Sequence, residues 1–264
     1  KSKTPIKKRI LNLLKTYLLW QTIITIYYAF VLQIIDFNLN YLIPRYTLWF
    51  LITMIFYNKA EWILEKVSYK IMIPISIIIG LVVGFIPIIG STLSLSRTFV
   101  FFPFYVLGYY AKDLNLLSKI KTKQVKTITI ILSIIILIVI LNYNSILSIK
   151  ILKGKYSYFD IDNVNIILAC GERLLFYIVS IIVSIAFLNL VPKKESMLTT
   201  LGRNTLYIYL TQGMILKTFV TEKILLDNRI VGTLLLFLCA FILTIVVTRI
   251  INKVQSYKKY KMEV

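Results

Sequence analysis

The sequence predicts an all-α, polytopic transmembrane bundle of about eight spans, and three observations carry that prediction. Hydrophobic residues make up 58% of the 264 and charged residues only 16%, with a mean hydropathy of +0.81. A surface that must be wetted by water cannot be built from that mixture. Apolar runs recur along the chain at about the twenty residues a helix needs to cross a hydrocarbon core, and the basic residues fall in short clusters between them, as in cytoplasmic connections.

Taken in order, the spans lie near residues 12–35, 44–57, 71–89, 95–111, 127–143, 166–190, 204–220 and 230–250. The first follows a basic stretch, KSKTPIKKR, that is neither a signal nor a transit peptide. The second is short and lies between Arg45 and the basic cluster from Lys59 to Lys70. The fourth runs through LSLSRTFVFFPFYVLGYYAKD, the sixth carries ACGERLLFYIV and the seventh LGRNTLYIYLTQGMILK. Between the fifth and sixth lies the longest outer connection, residues 144–165, whose GKYSYFDIDN stretch is polar enough for an external loop. With both ends of the chain cytoplasmic, about 22 of the 31 lysines and arginines fall on the inner side, the asymmetry that sets membrane orientation. No internal repeat, heptad seam or low-complexity linker interrupts residues 1–264, which read as one membrane domain.

Several function classes drop out. A net charge of +20 suggests nucleic acid, but basic clusters between apolar runs argue against it. Cys170 and Cys239 lie inside apolar runs, so neither a disulfide framework nor a thiolate metal site is expected. Histidine is absent, which removes the commonest general base and a common metal ligand, and no metal site is expected.

The informative residues are charges inside apolar segments, where an ionisable group is costly unless it meets a polar cavity or a partner. Arg97 lies a turn inside the fourth span, Glu172 and Arg173 about two turns inside the sixth, and Arg45 at the outer end of the second. Arg173, Tyr177, Ser180 and Ser184 follow helical spacing and form a polar stripe. Two readings stand: a structural salt bridge from Glu172 to Arg97 or Arg173 with Arg45 snorkelling to the interface, or a water-filled outer pocket in which arginines orient a polar or anionic group. In the seventh span, Arg203, Tyr207, Thr211 and Gln212 should face the bundle interior, with Gln212 either interhelical glue or part of a site.

Three stretches, in the order they occur, are similar to motifs of a known family: YLIPRYTLWFL, LSLSRTFVFFPFYVLGYYAK and LGRNTLYIYLTQGMILK. The chain resembles the integral-membrane acyltransferase family 3, which O-acetylates bacterial surface polysaccharides, and within it the fucose 4-O-acetylase-like branch. The resemblance implies ten helices in the full-length protein, a multi-pass place in the bacterial plasma membrane, and acetyl-CoA as a cytoplasmic donor with no bound cofactor. The acceptor partner is a hydroxyl of a polysaccharide or lipid-linked sugar. It also implies a first-helix histidine in an RG-containing motif, on a helix that would precede Lys1. The chain thus resembles a member without its first two spans, which accounts together for eight spans and no histidine. Where the family has paired arginines four apart, this sequence has Arg9 and Leu13, with Lys8 and Lys15 as substitutes; Gln212 stands where the late motif often has histidine.

Acetyl transfer needs a base, stabilisation of a tetrahedral oxyanion and a grip on the donor's phosphates. Arg97, Glu172 and Arg173 are the candidate catalytic set. Acceptor contacts fall to Arg45, Trp49, Tyr177, Arg203, Asn204, Tyr207 and Gln212. Lys7, Lys8, Arg9 and Lys15 suit the donor phosphates or, as plain juxtamembrane charge, set topology and meet anionic lipid. The rival class is a transporter or flippase for a polar or lipid-linked solute, which would use the same cationic cavity without a covalent step. Because the expected histidine is missing, residues 1–264 alone should give negligible acetyl transfer from acetyl-CoA, and joining the native upstream helices should restore it. Robust transfer by the isolated chain would place the base within it, with Glu172 the first suspect.

Overall fold

The computed structural model describes residues 5–142, 148–161, 165–191 and 205–221, with Thr199, Gly202 and a few single positions from Leu238 onward. Among them the secondary structure is helical, with no strand. The helices are α1 (Ile6–Ile26), α2 (Trp49–Leu64), α3 (Tyr69–Val82), α4 (Leu95–Tyr109), α5 (Leu116–Ile120), α6 (Lys123–Asn142), α7 (Ile149–Leu152), α8 (Ile166–Leu190) and α9 (Thr205–Thr221). Six of the expected spans overlap helices, α1, α3, α4, α6, α8 and α9, although the first, expected at 12–35, is α-helical over Ile6–Ile26, and among the described helices only α6 and α8 have the length and apolar character of a crossing. The eighth, 230–250, lies largely outside the described residues.

The second span departs most. Expected at 44–57, the helix instead runs Trp49–Leu64. It starts late because Tyr46 has φ 39, a left-handed conformation no α-helix accommodates. It continues past the apolar run because Glu61 is paired: Arg9 donates to both its carboxylate oxygens, at 2.9 and 2.6 Å. The first span ends in a π-helical turn, Tyr27–Val31.

The chain forms two compact units. The first holds residues 1–16, 42–44 and 49–191; the second holds 17–41, 45–48 and 192–264. In the first, α4 packs against α3 and α2, and α6 against α8. One core cluster joins Tyr57, Leu64, Met72, Phe102, Val106 and Tyr110, a second Val83, Val100 and Tyr177, and a third Ile151, Tyr158, Ile161 and Ala169. Pro103 lies inside α4 and cannot donate to the Phe99 carbonyl one turn back. That carbonyl instead faces Gly80 of α3, where a Cβ would stand 3.2 Å from it. Close α3–α4 approach therefore needs glycine there.

Two of the described helices are long and apolar enough to cross a membrane, within Lys123–Ile140 and Ile166–Leu190; Tyr69–Phe85 is a shorter apolar one. Only 6% of the α6 window is buried against protein. Ile131, Ile134, Leu137 and Ile138 are each about half exposed, a contiguous apolar face that water does not tolerate and lipid does. The α8 stripe is partly as expected: Arg173 and Tyr177 are buried, Ser180 is half-buried, and Ser184 is exposed.

If α6 crosses the bilayer, residues 148–161 and α5 lie on opposite sides. In a background lacking Cys170 and Cys239, a cysteine at Phe159, which is 57% exposed, should react with a membrane-impermeant thiol label in intact cells. A cysteine at the exposed Ser118 should react only after permeabilisation; equal labelling of both would remove the crossing.

Candidate active site

Three charged side chains of the first unit converge on one stretch of backbone, the connection 148–161. Arg97 on α4 donates through Nε to the Lys153 carbonyl at 3.1 Å. Glu172 on α8 accepts from the Ser148 backbone N–H at 3.2 Å. Arg173, its neighbour, donates through Nη2 to the Tyr156 carbonyl at 3.2 Å and through Nη1 to the Gly80 carbonyl at 3.5 Å. Glu172 and Arg173 are consecutive on a helix and point about 100° apart, so they do not face each other. The salt bridge from Glu172 to Arg173 considered from sequence is replaced by bonds from each to backbone.

Arg173 is the most enclosed of the three, at 0% exposure. Its guanidinium carbon lies 4.4 Å from the centre of the Tyr158 ring, a buried cation–π contact. Tyr158 in turn donates its hydroxyl to the Leu81 carbonyl at 2.9 Å. Burial raises the Tyr158 pKa, against the lowering pull of Arg173, and keeps the phenol protonated. Gly84 makes room for this stack, since a Cβ there would collide with the Tyr158 ring and lie 2.6 Å from Arg173 Nη1. Tyr177, one turn along α8, donates to the Val100 carbonyl at 2.9 Å, and its hydroxyl occupies the space over Gly80.

The connection also supports itself. Ser96 donates to the Gly154 carbonyl at 2.9 Å. Gly154 has φ +59, open to glycine, and a Cβ there would press on Val100 and Phe101 at 3.1 and 3.2 Å. Ser157 and Asp160 form a capping box, with the Asp160 carboxylate accepting from the Ser157 N–H at 2.9 Å. Lys150 donates to the Asp160 carbonyl at 2.7 Å.

Arg97 differs from Arg173 in being only half-buried. Its guanidinium lies 5.0 Å from the centre of the Trp49 ring, and Trp49 packs on Phe101 at 5.3 Å. The structure thus brings together Arg97 and Trp49, one expected from its depth in a span and the other from a motif.

At the other end of this unit, Arg9 is engaged by Glu61, which also accepts from Tyr105 at 3.2 Å. The hydrogen bonds that Arg9 donates to Glu61 raise its pKa. Lys7, Lys8 and Lys15 are exposed.

Arg45 belongs to the second unit. Its N–H donates to Gln21 Oε1 at 3.0 Å, its Nε to Thr25 Oγ1 at 3.0 Å and its Nη2 to the Asn38 carbonyl at 3.2 Å. Gln21 donates to the Asn40 carbonyl at 2.7 Å, and Tyr17 to the Tyr41 carbonyl at 2.7 Å. On α9 of the same unit, Tyr209 donates to the Thr47 carbonyl at 2.9 Å. Gly213 lies against Tyr46 and Thr47, where a Cβ would stand 2.8 Å from Tyr46. Tyr207 is 46% exposed and Gln212 half-buried. Arg203 and Asn204 lie outside the described residues.

The sequence reading missed Gln21 and Thr25, although Tyr17, Gln21, Thr25 and Tyr28 repeat the helical spacing it used for α8. Glu61 was missed because it follows the apolar run that was taken to bound the span. Tyr158 and Gly84 carry no local signal, since their role comes from contact with a distant arginine.

Replacing Gly84 with alanine forces the Tyr158–Arg173 stack apart, an overpacking cost of about 1–3 kcal/mol. Gly84→Ala should lower the melting temperature and expose Lys153 and Lys155 to trypsin. Gly171→Ala is the control: a Cβ there meets nothing within 4 Å, and the exposed helical site should gain about 0.5–1 kcal/mol. Equal tryptic resistance in both variants would remove Arg173 as the fastener of the connection.

No curated protein and no solved structure matches the chain. An acyltransferase domain model matches residues 2–253, nearly the whole sequence, and the chain therefore belongs to acyltransferase family 3.

Proposed function

We propose that the protein is a multi-pass membrane O-acyltransferase that moves an acetyl group from cytoplasmic acetyl-CoA to a hydroxyl of a cell-surface or secreted polysaccharide, in a bacterial plasma membrane. The observation that carries the reading is Arg97: a half-buried guanidinium of an acyltransferase-family chain, steadied through Nε by a backbone carbonyl and stacked on Trp49. Held at Nε and over the indole face, the fork has a fixed orientation before any substrate arrives. A fixed donor of this kind stabilises the oxyanion of an acyl-transfer intermediate without reorganising during the reaction.

Arg173 and Glu172 act at one remove in this proposal. Sealed from solvent, Arg173 fixes the connection whose Lys153 carbonyl holds Arg97, and Glu172 anchors the start of that connection. Both are positioning residues. For the donor, Lys8 and Lys15 are accessible to the phosphates of coenzyme A, and Arg9 is tied to Glu61. Phosphate binding therefore begins with the lysines, and Arg9 sets the position of the helix that bears them.

The test is acetylated polysaccharide per unit of folded full-length protein. Arg97→Lys keeps the charge but loses the planar fork that both donates through Nε and lies over the indole. It should fold and lose roughly a hundredfold in rate, the usual cost of removing one oxyanion donor. Unchanged specific activity in Arg97→Lys would leave Arg97 as a fastener only.

A further inference from the structure

Among the described residues of the second unit is a charged side chain whose hydrogen-bonding partners are all neutral, and two buried hydroxyls of the same unit lack partners. The Arg45 guanidinium is held by Thr25 and the Asn38 carbonyl, and its backbone by Gln21. Gln21 and Thr25 are both 0% exposed. None of these groups carries charge, so Arg45 keeps its full positive charge in a fixed place.

Tyr28 continues the same face of α1, since Gln21, Thr25 and Tyr28 stand at i, i+4 and i+7. It is 6% exposed, and its hydroxyl is buried with no hydrogen-bond partner. That hydroxyl lies within electrostatic range of both Arg45 and Tyr46. Thr47, two residues beyond Arg45, is 8% exposed, and its hydroxyl is likewise buried without a partner. Buried hydroxyls normally find partners, and two left open, one on the α1 face that holds Arg45 and one two residues along the chain from it, call for an explanation.

The backbone here is also unusual on both sides. The π-turn Tyr27–Val31 widens α1 where Tyr28 sits, a feature frequent at functional sites. Tyr46 is held at φ 39, a strained conformation for an aromatic residue. The acceptors nearest Arg45, Gln21 Oε1, Thr25 Oγ1 and the Asn38 carbonyl, are already occupied by it. What remains open is two hydroxyls, which can donate or accept, beside a guanidinium that can only donate and carries charge. A neutral sugar hydroxyl is served by donors and acceptors alike, whereas a group that only accepts fits donors alone.

We propose that Arg45, Tyr28 and Thr47 form a binding site for an anionic oxygen group, a carboxylate or a phosphate, carried by the acceptor. The proposal rests on the acyltransferase reading for the word acceptor and deepens it, making the substrate class an acidic or phosphate-linked sugar. Arg45 supplies charge, and the Tyr28 and Thr47 hydroxyls donate to the oxygens. No bond is made or broken at the site.

The test is direct binding to the full chain in lipid nanodiscs, with no acyl donor present, so its result does not depend on acetyl transfer. Glucuronic acid, glycerol 3-phosphate and glucose are the probes, followed by titration calorimetry and ligand-observed NMR. At least one of the two anions should bind saturably and glucose roughly tenfold or more weakly, as charge-assisted hydrogen bonds exceed neutral ones. Glucuronate as the better ligand identifies an acidic sugar; glycerol 3-phosphate identifies a phosphate-linked one. Arg45→Gln should abolish the preference for anions over glucose. Tyr28→Phe and Thr47→Val each remove an unpartnered buried hydroxyl, so they should fold at least as well as the parent while weakening the anion by roughly tenfold. Three results overturn the proposal: no saturable binding of either anion, glucose binding as tightly as the anions, or wild-type anion affinity in the Tyr28→Phe, Thr47→Val double variant. Loss of acetyl transfer in the full-length enzyme with anion binding intact would instead count against the acyltransferase reading alone.

Discussion

The first unit is organised around a guanidinium taken wholly out of water. Arg173 carries a charge whose burial costs several kcal/mol unless its donors are met. The chain meets the two terminal nitrogens with backbone carbonyls, those of Gly80 and Tyr156, and lays the guanidinium against the Tyr158 ring, while Nε is buried without a partner among the described residues. Two of the three partners belong to the connection 148–161, so that connection folds back onto the ends of α3, α4 and α8. The requirement runs in both directions. Without the connection Arg173 would be a bare charge in an apolar helix, and without Arg173 the connection would lose its deepest anchor.

The other polar residues of this region follow from that constraint. Gly84 and Gly80 are small because the Tyr158 ring and the Tyr177 hydroxyl occupy the volume a side chain would take. Glu172 and Arg97 use the same connection, at Ser148 and Lys153, so one loop is fixed from two helices. A loop held at both ends and in its middle is a rigid platform. Rigidity is what oxyanion stabilisation asks of the groups that position a donor. The placement of Arg97 over Trp49 therefore depends on a residue that does not face solvent at all.

Helix existence was legible in the sequence, because long apolar runs carry their own signal: α6 and α8 fall where the runs place them. Helix ends were less so. The start of α2 depends on the left-handed Tyr46, and its end on an ion pair to Arg9, neither of which a run of apolar residues encodes. For the site, charge inside apolar sequence singled out Arg97, Glu172, Arg173 and Arg45, and each makes a hydrogen bond to a distant part of the chain. The identity of those partners was not legible. From sequence the natural complement of an arginine is a carboxylate, and in the fold it is mostly backbone carbonyl, a group every residue carries and no pattern reveals. The same blindness hid Tyr158, whose importance arises only when a loop residue meets a helix residue fifteen positions away.

The choice of partner has a chemical consequence. Arg9 is matched by Glu61 in a bidentate pair, and the two charges cancel locally. The guanidinium groups of Arg173 and Arg45 are held by backbone carbonyls and a threonine hydroxyl, which engage two nitrogens of each and leave the charge standing. A carboxylate partner would have held each arginine equally well in geometry while cancelling the field that an anionic substrate or a developing oxyanion would feel. Neutral partners fix the side chain and preserve that field. In an apolar chain that is the more costly arrangement, since an unneutralised charge is harder to keep out of water than a pair. A structural role alone would be served more cheaply by a pair, as Arg9 is. Arg173 is sealed from solvent, so its uncancelled charge serves to hold the connection 148–161, and Arg45 is the one of the two whose charge the proposed anion site uses.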